Sequence, residues 1–204
     1  LPGTSAATGF IVASPAGNLY ESTASVQLQG GSASFMLTEG APDGAAAIVD
    51  TGASDTVLHD VVDWGSAGGA YTLDETGQLL PGISTQPIYD YTTATLAWTP
   101  SGDSPAPDFT ALALAISRNP AVSAWYIVAP YTAGSIALPQ LSGYAIPDTS
   151  IVDLTSLVMT KVPGGYDAAR ANALAPANPY YFDAASSSGR ALIATYRGSI
   201  GVQD

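Results

Sequence analysis

Short apolar or alternating runs, broken by turn residues, recur along the chain. Gly9-Phe10-Ile11-Val12-Ala13 is followed by Ser14-Pro15-Ala16-Gly17-Asn18, a turn signature. Ala24-Ser25-Val26-Gln27-Leu28-Gln29 alternates small or apolar with polar positions, the period of a half-buried strand, and Gly30-Gly31 closes it. Ala33-Ser34-Phe35-Met36-Leu37 leads to Ala41-Pro42-Asp43-Gly44, where proline presets φ and glycine accepts a positive one. The apolar run Ala45-Ala46-Ala47-Ile48-Val49 comes next, so residues 33–49 are predicted to form a hairpin. Residues 65–80 read as a loop with a small hairpin, marked by Gly68-Gly69 and Thr76-Gly77. Leu80-Pro81-Gly82 and Gln86-Pro87 suggest a linker or a change of sheet.

The second stretch repeats the pattern with longer strands. Residues 93–99, 109–116, 125–130, 135–139, 151–162 and 191–196 read as strands, with 199–202 behind the last. A proline-bearing loop covers 101–108, and Thr132-Ala133-Gly134 marks a turn. Residues 166–174 are mildly helical through clustered Ala and Arg, and 173–181 reads as a long loop. No fixed-period repeat, heptad or charge block is visible. The expected fold is all-β and β-sandwich-like, in one or two units with short turns and little helix. The units are an N-terminal one over 1–82 and a C-terminal sandwich-like one over 83–204, or one continuous domain.

Two segments of the second stretch carry a resemblance. Thr95-Leu96-Ala97-Trp98 before Pro100 resembles the second strand of fibronectin-type sandwiches, where a tryptophan plugs the core. Trp125-Tyr126-Ile127-Val128-Ala129-Pro130, a turn, then Leu138-Pro139 is similar to immunoglobulin-like modules of bacterial surface proteins. The resemblance implies a sandwich in the C-terminal half and a place at the cell surface.

Composition sharpens this reading. Hydrophobic residues make up 47% of 204, enough for a core, while charged residues reach only 11%, against about a quarter in ordinary domains. Glycine (21) and proline (15) suit tight turns rather than long helices. The net charge of -12 repels phosphate backbones and anionic lipid, which excludes nucleic acid as a partner. Without cysteine there is no disulfide and no thiolate metal site. Few lysines and a Ser/Thr/Gly-rich surface point to a secreted or cell-surface protein. Residues 1–4 carry neither a basic n-region nor an apolar h-region, so export places the numbering after a cleavage site. The longest charge-free run, 119–147, holds several prolines and glycines and is not expected to be a transmembrane segment.

One motif carries chemistry. Ala47-Ile48-Val49-Asp50-Thr51-Gly52-Ala53-Ser54-Asp55-Thr56-Val57-Leu58 resembles the active-site strand and turn of aspartic peptidases, the retroviral type most of all. The resemblance implies that Asp50 is catalytic, on a tight turn at a strand end, with Thr51 and Gly52 as structural supports. Two such carboxylates share a proton, one acting as base on water while the other protonates the scissile carbonyl. The sequence holds one such triplet, so this route requires a homodimer. The plainer reading, a strand followed by an Asp/Gly turn, stays open.

Other candidates are fewer. No cofactor is expected, apart from calcium at the loop carboxylates Asp60, Asp63, Asp74 and Glu75, which lack the regular Asp-x-Asp-x-Asp-Gly spacing. Pro179-Tyr180-Tyr181-Phe182 is either a sugar-stacking platform or a lid over the core. His59, the single histidine, lies near Ser54 without a nucleophile elbow and reads as a turn or surface residue. The favoured expectation is an extracellular structural or adhesive β-protein, a subunit of a surface assembly or filament that pairs with itself or with other surface proteins. An aspartic peptidase acting as a homodimer and a carbohydrate-binding module are the alternatives.

Overall fold

The computed structural model describes residues 7–13, 23–26, 32–36, 45–54, 57–65, 70–74, 79–101, 105–118, 120–141, 146, 150–172 and 190–203. The strands of the first stretch are β1 (Ala7–Ala13), β2 (Thr23–Val26), β3 (Ser32–Met36), β4 (Ala45–Ser54), β5 (Val57–Gly65) and β6 (Ala70–Asp74). Short strands follow: β7 (Gly82–Ile83), β8 (Ile88–Asp90), β9 (Thr95–Ala97) and β10 (Pro100–Ser101). The long pair β11 (Phe109–Arg118) and β12 (Ala121–Pro130) precedes β13 (Ser135–Ala137) and β14 (Ile151–Lys161). Helix α1 (Gly165–Asn172), β15 (Arg190–Tyr196) and β16 (Gly201–Gln203) complete the order. The protein is all-β, with α1 falling where the sequence is mildly helical.

Eight strands form one sheet in the order β12-β11-β14-β15-β5-β4-β1-β2. The pairing of β15 with β5, from Arg190 opposite Asp63 to Tyr196 opposite Val57, joins strands of both stretches. A four-stranded sheet has the order β13-β9-β8-β16, with β16 parallel to β8, and two-stranded sheets pair β10 with β7 and β3 with β6.

The hairpin expected over 33–49 does not form. β3 pairs with β6, while β4 pairs with β5 on one side and β1 on the other. The reason lies beyond the local turn signal at 41–44. The apolar run ends at Val49, yet the strand continues through Ser54 and gains a long antiparallel partner in β5. Strand pairing over such a length outweighs the preference of one tight turn.

The core forms by strict alternation. In β11, Leu112, Leu114 and Ile116 are buried while Ala111, Ala113 and Ala115 are half-buried. Leu112 lies opposite Leu157, Ile116 opposite Val152, and Leu157 in turn opposite Tyr196. These residues cluster with Tyr89, Leu96, Ile136 and Leu138 of the four-stranded sheet and with Trp98. Each fully buried leucine of this kind stabilises by about 1.5–3 kcal/mol. Leu80 and Ile83 belong to the same cluster, so the chain packs into the core where it changes sheet. A smaller cluster, Val158, Ala191 and Ile193, lies apart from this one.

Two local devices hold the β11–β12 region. Asp108 donates its backbone N–H to the Thr160 carbonyl (2.8 Å) and accepts the Tyr131 N–H (3.1 Å). Its Oδ2 accepts the Val162 N–H at 2.8 Å, and its Oδ1 lies 3.6 Å from Lys161 Nζ. The start of β11, the exit of β12 and the end of β14 are thereby tied at one residue. After β12, Gly134 takes φ +85°, and its carbonyl accepts the Trp98 N–H at 2.7 Å.

Candidate functional site

Asp50, Thr51 and Gly52 lie within β4, ahead of the β4–β5 connection. The peptidase resemblance implies a turn at these positions; the backbone is instead extended and paired. Asp50 is registered with Thr8 on β1 and with Asp60 on β5, Thr51 with His59, and Gly52 with Leu58. The register shifts between Gly52 and Ser54, a bulge at which the strand leaves regular pairing. Two carboxylate residues therefore occupy directly opposed positions, an arrangement that is unfavourable when both are charged.

The carboxylates considered for calcium are spread out. Asp60 and Asp63 are three residues apart on β5, an odd spacing that places the positions on opposite faces of a strand. Asp63 is registered with Ala47 and Arg190, and Asp74 with Ser32 in a different sheet. Among the described residues no group of three or more His, Asp or Glu is placed to hold a metal ion. Glu75 and the aromatic run 180–182 lie outside the described residues.

His59 is neither a turn nor a surface residue. It sits in mid-strand between Thr51 and Ala194 and is 5% exposed. Its Nε2 comes within 4.0 Å of the point where a Cβ on Gly82 would stand, and Ser101 Oγ within 2.9 Å of that point. Burial pushes its pKa below the ordinary 6.5, because the cation loses its hydration. Read alone, a histidine between Leu58 and Asp60 looks solvated. Its place in a strand paired on both sides, by β4 and β15, with Gly82 of β7 close to its ring, decides otherwise.

A different feature stands out on the surface. β12 forms one edge of the eight-stranded sheet and carries no charged residue along Ala-Val-Ser-Ala-Trp-Tyr-Ile-Val-Ala-Pro. Its pairing with β11 is unbroken from Ala121 opposite Arg118 to Pro130 opposite Phe109. Trp125, Ile127 and Ala129 lean against the core. The alternate row faces outward, with Val122 70% and Tyr126 61% exposed and Ala124 exposed between them. On the same outer face β11 contributes Ala111, Ala113 and Ala115, and β14 contributes Ile151, which is 62% exposed. The outer row of β12 is apolar and, among the described residues, ends at an open strand edge; further in on the same face lie Ser117 and Ser156, with the exposed Asp153 opposite Ala115. Proteins commonly guard such edges with lysines, internal prolines, bulges or very short strands. β12 has one proline, at its last position, and no register shift against β11.

Fold and surface together define an all-β protein in which, among the described strands, β12 has no partner on its outer side. No protein family, curated protein or solved structure matches the chain. No helix among the described residues is long and apolar enough to cross a membrane.

Proposed function

We propose that the chain is an extracellular structural or adhesive β-protein that works as a subunit of a surface assembly. The observation that carries this reading is the β12 edge: ten residues, uncharged, with Val122 and Tyr126 in solvent. An edge of this kind presents a row of main-chain donors and acceptors that another strand satisfies. Composition supports the reading, since a cysteine-free exported protein lacks the disulfides that stabilise many secreted domains and gains stability from association.

Sedimentation velocity over a wide concentration range tests it. Association that grows with protein concentration, and with salt as the charge of -12 is screened, is the expected result. A monomer at every concentration and ionic strength would refute it.

A further inference from the structure

We infer that the occupant of the β12 edge is β12 of a second copy, paired antiparallel about a two-fold axis through Trp125. The inference deepens the assembly reading and rests on it. A strand edge is complementary to its own antiparallel copy, and a two-fold pairing of this type closes on itself. Opposed residues must share a sheet face, which limits the axis to a residue rather than a peptide bond. With the axis at Trp125, Tyr126 falls opposite Ala124 of the second copy, Val122 opposite Val128, and Ser123 opposite Ile127. The large exposed Tyr126 thus meets a small residue, and the aliphatic pair meets in the outer row. This register pairs all of Ala121 to Ala129 and leaves out Pro130, which has no N–H to donate.

Charge favours the same strand for contact between copies. Each copy carries -12, so contact between copies is opposed by net repulsion. β12 lies in the charge-free run 119–147 and brings no charge. If copies associate, as the assembly reading has it, this neutral strand is where repulsion opposes them least.

Cross-linking reads the register directly, because the natural chain has no cysteine. Ala124→Cys and Tyr126→Cys are made separately, mixed and oxidised. The expected product is a disulfide between position 124 of one copy and position 126 of the other, in excess over either symmetric product. A dominant 126–126 or 124–124 product would overturn the assigned axis. Val122→Lys with Ala124→Lys supplies the second arm. Both side chains are exposed, so the circular dichroism and melting temperature stay those of the natural protein. Both substitutions also reduce the net negative charge, so any lost association arises at the strand and not from added repulsion. The dimer constant is expected to weaken at least about tenfold. Assembly that persists unchanged in this variant would overturn the inference while leaving the assembly reading standing. A natural protein that is monomeric throughout would overturn both.

Discussion

At the scale of single residues, two positions make sharp demands. His59 is buried with its pKa lowered, so the folded state holds the neutral ring while the unfolded chain titrates near 6.5. The folded state binds fewer protons there, and stability at this site is complete above the unfolded value and is lost as pH falls below it. Urea unfolding between about pH 7.5 and 5.5 is expected to show that loss, and His59→Gln to flatten it. An unchanged slope in the variant would mean that another group titrates. Gly134 is the second position. A Cβ there would stand 2.7 Å from the Trp98 carbonyl at a φ of +85°. Gly134→Ala is therefore expected to cost about 1–3 kcal/mol in thermal unfolding. The turn at Gly134 is legible in sequence, but neither the burial of His59 nor the close approach of Trp98 is. His59 is flanked by Leu58 and Asp60 and nothing in that run marks it as buried, and the need for Gly134 comes from Trp98, distant in the chain.

At the scale of elements, patterns that carry their own period were legible and pairings were not. β11, β14 and β15 stand out as apolar runs, and Trp98 before Pro100 marks a buried tryptophan, 6% exposed in the structure. β5 was hidden, because His59, Asp60 and Asp63 interrupt its apolar positions. β3 was legible as a strand, but not its partner β6, since nothing local specifies which strand lies alongside. The Asp-Thr-Gly triplet shows the same limit. A strand followed by a turn was the plainer reading, and extended pairing with β5 carries the strand past the triplet. Register makes a prediction here. Asp50 and Asp60 are opposed, so Asp60→Asn is expected to stabilise by about 0.2–1 kcal/mol at neutral pH through relief of like charge. Denaturant titration measures it, and a loss of stability would show that the aspartate has a favourable partner. In the same material, an unfolded protein substrate at about pH 3–6 is expected to remain uncleaved. Cleavage abolished by Asp50→Asn would instead establish the peptidase alternative.

At the scale of the whole molecule, the proposed function rests on strand order. β12 is at least as apolar as β11, and sequence alone gives no reason to place β11 inside the sheet and β12 at its edge. The order β12-β11-β14 buries one side of β11 in the core and leaves β12 with an open edge. The charge of -12 lies outside this strand. In the proposed assembly, net repulsion between copies opposes contact elsewhere, and the neutral strand is where they meet. Amide hydrogen exchange at low and high protein concentration tests this claim most directly, because the edge amides report their own pairing. Amides within residues 121–129 are expected to gain protection as concentration rises, while those of β9 and β13 stay unchanged. Exchange of the β12 amides that is independent of concentration would contradict it.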